Sequence, residues 1–282
     1  KVVLFVGQWN ARKNPEAAFA AFARTFSRGD KVSLILKTWP PDDFRGGTTE
    51  ARAWVSKQIH RLRSAYGERH AHVVGIVESL GFTDLMRLYA SADVLLHPSR
   101  GEGWGLPVST AMLLGVPAIV GQGSGPDDFV SDDNGYPVST SYTPAGMANY
   151  PWFDAEQLWL EPNVLEICDA LSDVVHGGGA EKRSEAAKQI RDLVSLDTVA
   201  NKMTESIEAV EAALGACLFP LPRARADSLD DDTEAWRCMG SGLRQKSKAI
   251  VLFAHARPDL LKKTLASVSR LLDLDDYDVW GI

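Results

Sequence analysis

The chain has little cysteine, no long apolar run and no excess of basic charge. Its 282 residues hold three cysteines, Cys168, Cys217 and Cys238, widely spaced and never as C-x-x-C. An odd, scattered set of thiols argues against a disulfide framework or a zinc cluster. No stretch approaches the ~20 consecutive apolar residues that cross a bilayer, and the first residues lack the pattern of a signal peptide. Lys and Arg number 30 against 37 Asp and Glu, a net charge of −7. Without a basic stripe, nucleic acid and anionic membrane are poor partners. The first strand leads into "GQWNARKN" rather than G-x-G-x-x-G, which excludes a Rossmann dehydrogenase. The six histidines are scattered, and the pair His70 and His72 is too isolated for a metal site.

What is present is an ordinary globular composition, 45% apolar and 24% charged. The length fits one large domain or two smaller ones. Lys1 already belongs to a strand, and the closing "YDVWGI" reads as a strand with no ending. We expect the chain to be part of a longer polypeptide, whose compartment, cytoplasmic or Golgi and secretory, would be set elsewhere.

Short β-branched runs alternate with amphipathic stretches. "KVVLFV" (1–6), "KVSLILK" (31–37), "HVVGIV" (72–77), "DVLLHP" and "VPAIVG" read as buried strands. Asn14-Pro15-Glu16 is a helix start, with a cap, Pro in the first turn and an acid beside it. Phe19, Phe22 and Phe26 then share a face, and Gly29 should end that helix. Val55, Ile59, Leu62 and Tyr66 mark a second helix. Thr83 should cap a short third, and a fourth should run over 107–115. Residues 139–162 read as a Pro- and Tyr-rich crossing segment, followed by helices near 163–176, 181–195 and 197–214. Towards the end of this stretch Leu193, Leu196, Val199, Met203, Ile207 and Val210 give a regular apolar face. This order implies a doubly wound, Rossmann-like α/β domain with a parallel sheet. Residues 215–247, with two prolines, an acidic run and a basic end, read as a linker. From 248 a strand, a Pro-led helix and a second strand begin another α/β domain.

In open α/β sheets ligands sit beyond the carboxyl ends of the strands. Two loops there are chemically distinctive. In "GQWNARKN", Gly7 permits close backbone approach, and Arg12 and Lys13 precede a helix N-terminus, a setting that favours anions. The same pair also fits a solvated surface loop. In "SRGEGWGLP" (99–107), Gly101, Gly103 and Gly105 let a ligand approach the backbone. Pro107 opens a helix whose free N–H groups suit a diphosphate. Glu102 does not suit phosphate, so sugar hydroxyls are its natural partners.

These strings resemble the C-terminal half of a family 4 glycosyltransferase of the retaining GT-B type. The resemblance covers roughly 1–213 and rests on "FVGQWNARKN", "LYASADVLLHPSRGEGWGLPVSTAMLLGVPAIV", "GSGPDDFVSDDNGYPV", "WLEPN" and "AAKQIRDLVSLDTVANKM". It implies a donor diphosphate held at Gly7, Lys13 and the 103–107 backbone, with Gly103, Trp104, Gly105, Leu106 and Pro107 in the turn. Glu102 matches the first, catalytic Glu of the family's E-x7-E motif. Thr110 stands where the second Glu, on the ribose, is usual. Gln8 replaces the family's Arg, Arg12 is the natural substitute, and Asp128 stands in the "GGxxE"-like loop. The resemblance implies a UDP-, GDP- or ADP-sugar donor, no cofactor or metal in this domain, and an N-terminal partner domain on the same polypeptide. A degenerate, non-catalytic module that scaffolds a neighbouring transferase is the competing reading of Gln8 and Thr110.

The tail "VLFAHARPDLLKKTLASV" is similar to the opening of GT-A-type enzymes of the N-acetylglucosaminyltransferase I-like and family 2 groups. That implies a second nucleotide site at Arg257 and Asp259, with a divalent metal bound further along. A generic strand-turn-helix reads equally well there.

Overall fold

A computed structural model describes residues 1–67, 69–145, 156–214, 249–252 and 278–281. The chain divides into two compact units, 1–193 and 194–282.

In the first unit, β1 (Val2–Val6), β2 (Ser33–Lys37), β3 (His72–Ile76), β4 (Val94–His97), β5 (Ala118–Gly121) and β6 (Tyr136–Val138) form one sheet. Their order is β3-β2-β1-β4-β5-β6, and every pairing is parallel. This is the doubly wound α/β fold that the strand-helix alternation implies. The winding reverses between β1 and β4, so the loops after these two strands face each other at the switch point, where such sheets bind ligands.

Both faces of the sheet are covered. One face carries Val3, Phe5, Leu34 and Leu36 against α1 (Pro15–Thr25), α2 (Thr48–Tyr66) and α5 (Val164–Val175), through Phe19, Phe22, Val55, Ile59, Ile167 and Leu171. The other carries Leu4, Leu95 and Val120 against α3 (Phe82–Ala90), α4 (Leu106–Leu113) and α6 (Ala180–Leu193), through Tyr89, Val108, Met112 and Ile190. Burial on both sides explains why the strands read as continuous apolar runs.

Local chemistry explains most boundaries. Asn14 caps α1 by accepting from the Ala17 N–H at 3.3 Å. That helix stops at Thr25, four residues before Gly29. Phe26 turns extended and stays buried, and the next residues are held by Arg28 N–H donating to Arg69 O at 2.6 Å. Gly81 rather than Thr83 caps α3, and α4 opens at Leu106, one residue before Pro107. Tyr66 is half-exposed, although its ring meets Phe19. The segment read as a crossing contains β7 (Thr140–Pro144) and β8 (Leu158–Pro162), an antiparallel ribbon with Thr140 opposite Pro162. Its Pro residues sit at strand ends, where a missing N–H costs least.

In the second unit, α7 (Leu196–Leu214) is a continuous helix, and β9 (Ala249–Leu252) and β10 (Asp278–Gly281) pair in parallel. The linker expected over 215–247, and Arg257 and Asp259 of the second nucleotide site expected after β9, lie outside the described residues.

Candidate functional site

Hydrogen bonds join the two loops at the switch point. Arg100 N–H donates to Arg12 O at 2.7 Å, and Arg12 returns a guanidinium N–H to Gly101 O at 2.8 Å. Ser99 Oγ also donates to Arg12 O, at 3.1 Å. Asn10 Oδ1 accepts from Lys13 N–H at 2.9 Å and orders the turn before α1.

At the centre lies Glu102, with its side chain only 9% exposed. Three donors meet on its Oε1: Lys13 Nζ at 2.5 Å, Arg12 Nη1 at 3.2 Å and His97 Nε2 at 3.1 Å. Burial acts to raise the Glu102 carboxyl, but the hydrogen bonds from His97 and Lys13 overcome it and hold the group far below the usual carboxylate range. Burial lowers the pKa of His97, and Lys13 and Arg12 lower it further against the pull of Glu102. We assign an ionised Glu102 and a neutral His97, since His97 is buried and Lys13 and Arg12 already offset the carboxylate charge.

The loop that follows is shaped by close backbone contacts. Gly105 adopts a left-handed conformation, φ +84°, and turns the chain into α4. Among the described residues no acceptor takes the N–H of Gly105 or Leu106, so this helix start is free to meet an anion. Gly125 N–H donates to Glu102 O at 3.0 Å. A Cβ on Gly125 would fall 1.9 Å from Gly103 O, whereas one on Gly103 or Gly101 would meet nothing within 4 Å. Trp104 stacks on Phe129 at 4.5 Å and donates its Nε1–H to Ser109 Oγ at 3.0 Å. Its indole therefore anchors the loop to α4.

Glu102, Arg12 and Lys13 are thus brought together, with Gly103, Gly105, Leu106 and Pro107 beside them at the loop and helix start. Gly7 N–H donates to Lys37 O at 3.1 Å, and the Lys13 stem lies 3.5 Å from where a Cβ on Gly7 would stand. Gln8 is turned elsewhere: its Nε2 donates to Asp42 Oδ1 at 2.7 Å and Pro40 O at 3.1 Å, and its Oε1 accepts from Asn10. Thr110 is half-buried, one helical turn beyond Leu106, which is 72% exposed. Asp128 is exposed in the short 3-10 turn Gly125–Asp128.

Sequence reasoning missed His97, although it closes "DVLLHP" at the carboxyl end of a strand, where site residues gather. It also missed the bracket formed by Arg100, Glu161 and Asn14. Glu161 on β8 accepts from Arg100 Nε at 2.5 Å and from Asn14 Nδ2 at 3.1 Å, and Arg100 lies 5.8 Å from the centre of the Trp159 ring. This bracket ties the ribbon to both site loops. Among the described residues no three His, Cys, Asp or Glu are grouped to hold a metal ion, and no helix is long and apolar enough to cross a membrane.

A buried Glu, an Arg-Lys pair and an open helix start thus meet at the switch point of a doubly wound α/β domain, where such sheets bind ligands. The family model described as glycosyl transferases group 1 matches residues 1–150, more than half of the chain, and the chain belongs to that family, whose domain is of the GT-B type. It is 30% identical over 129 residues to a D-inositol 3-phosphate glycosyltransferase of Corynebacterium diphtheriae, covering 44% of this chain and 27% of that protein. It is 27% identical over 151 residues to D-inositol 3-phosphate glycosyltransferase 2 of Catenulispora acidiphila, covering 52% of this chain and 33% of that one. The chain therefore spans about a third or less of the length of these relatives. A sucrose-phosphate synthase structure from Thermosynechococcus elongatus shares the fold, with a TM-score of 0.52 at 20% identity over 75% of this chain and 46% of that one.

Proposed function

We propose that residues 1–214 form the donor-binding domain of a retaining, family 4 glycosyltransferase that takes a UDP-, GDP- or ADP-sugar. The observation that carries this reading is the meeting of Lys13, Arg12 and His97 on Glu102 beside the open start of α4. The family membership and the glycosyltransferase names of the two relatives support it.

The chemistry follows from the charges. Lys13, Arg12 and Glu102 together leave one net positive charge, and a diphosphate brings negative charge. The helix start adds N–H donors and a favourable dipole. Lys13 and Arg12 then bridge Glu102 and the diphosphate, and Glu102 accepts from a donor-sugar hydroxyl. Cations and helix dipole stabilise the leaving diphosphate without a metal, and that leaving group assists attack from the same face of the sugar. The acceptor and the remaining catalytic groups would come from an N-terminal domain of the same polypeptide. By itself the chain would then bind donor without turnover. The tail from 248 would begin a GT-A-like domain with its own divalent metal.

A second reading rests on two residues. Gln8 is tied to Asp42, and Thr110 offers one hydroxyl where a carboxylate would accept two bonds. Both weaken donor binding, as expected of a scaffold module that has lost its ligand. Calorimetry with each sugar nucleotide separates the readings. A donor domain binds one of the three series, whereas a scaffold binds none.

A further inference from the structure

We propose that His97 is a positioning residue for the donor sugar: a neutral imidazole protonated on Nε2, it fixes Glu102 through Oε1 so that Oε2 faces the sugar. This rests on the reading of the pocket as a donor site.

The sheet register places His97 firmly. Leu4 pairs with Leu95, and His97 pairs with Val120. His97 lies two residues beyond Leu95 in β4, so it shares the face of the sheet that carries α3 and α4. His97 is 1% exposed. Its Nε2 lies 3.1 Å from Glu102 Oε1, and its Nδ1 has no hydrogen-bond partner. A proton on Nδ1 would be a buried donor with no acceptor, and an imidazolium would carry the same orphan donor. The tautomer protonated on Nε2 leaves only a bare lone pair there.

The three donors on Oε1 differ in freedom. Lys13 and Arg12 sit on long side chains from the loop before α1, and the Arg12 side chain is 40% exposed. The Lys13 side chain is 13% exposed, but its ammonium, at the end of four rotatable bonds, can still turn part of its N–H set toward a diphosphate, as the Arg12 guanidinium can. His97 has two side-chain torsions and is packed at the end of a buried strand, so it cannot follow. When Lys13 and Arg12 share their N–H groups between Glu102 and a diphosphate, His97 still holds Oε1. The carboxylate keeps its direction, and the sugar meets an oxygen already aimed.

The test uses this chain with two readouts. The ¹⁵N shifts of His97 at neutral pH should show a protonated Nε2 and a bare Nδ1. A protonated Nδ1, alone or in an imidazolium, would overturn the proposal. Calorimetry then compares UDP, GDP and ADP with their glucose conjugates. For the series that binds, His97→Phe should weaken the sugar conjugate by about tenfold and the bare diphosphate by less than about threefold. His97→Gln, which keeps an N–H donor, should restore the conjugate to within about threefold, with thermal melts confirming that both variants fold. Equal weakening of diphosphate and conjugate, or no effect of His97→Phe, would overturn the proposal alone. No binding by the unmodified chain would overturn the donor-site reading and this proposal with it.

Discussion

At Gly125 a methyl group has no room. Its Cβ would sit 1.9 Å from Gly103 O, and the Gly125 N–H holds Glu102 O. Gly125→Ala should therefore cost more than about 2 kcal/mol of stability, read as a lowered urea midpoint. Gly103→Ala meets nothing within 4 Å and should stay within about 0.5 kcal/mol of the parent while weakening donor binding. Equal behaviour of the two variants would contradict the assignment of one contact to structure and the other to ligand. Glu102 gives a second expectation at this scale. Its carboxyl is held below its ordinary value of 4.5, so it contributes stability that is complete above that value and is lost as pH falls through the depressed one. Glu102→Gln should flatten the acid limb of the stability profile below about pH 5, measured by urea midpoints at stepped pH. An unchanged acid limb would show that the ion pairs do not stabilise the fold. His97 and Gln8 were the residues least legible in the sequence. The role of His97 depends on how the 98–101 turn returns Glu102 to the strand end, and that of Gln8 on Asp42, 34 residues away.

Elements were easier to read than residues, and the reason is visible in α1. Asn14, Pro15 and Glu16 carry their own start signal, and the caps and core face match it. The helix end was not legible, because Phe26 continues the apolar spacing yet leaves the helix to stay buried. The β7–β8 ribbon was hidden because its partners lie across a gap in sequence and its composition reads as turn. Its tie to the site, through Glu161, Arg100 and Asn14, follows from tertiary contacts alone. Where α1 meets α5, Phe22 and Leu171 are fully buried in one cluster. Leu171→Ala should cost about 2–5 kcal/mol, seen as a lower melting temperature, with donor affinity at 10 °C within about threefold of the parent. A large loss of affinity in that variant would mean that α5 supports the site directly.

The molecule as a whole is acidic, with a net charge of −7, yet its switch point concentrates Lys13 and Arg12. The pocket depends on these local cations, so donor affinity should fall as ionic strength rises and screening shortens their reach. Calorimetry from low to high salt reads this, and a flat response would count against a diphosphate at this site. The doubly wound sheet was legible because β1 to β5 are apolar runs bounded by turn residues, whereas β6 is the short Tyr136–Val138, with a Pro at its centre, and was not read as a strand. The pocket was legible as two loops, though not as a single carboxylate held by three donors. The most direct test of the central claim is calorimetric titration of this chain with UDP-, GDP- and ADP-sugars, with Thr110→Glu alongside. The account predicts that the parent binds one series, and that Thr110→Glu tightens it by about ten- to hundredfold through a restored ribose contact. Silence from the parent with binding by Thr110→Glu would contradict it and establish a decayed site on an intact fold.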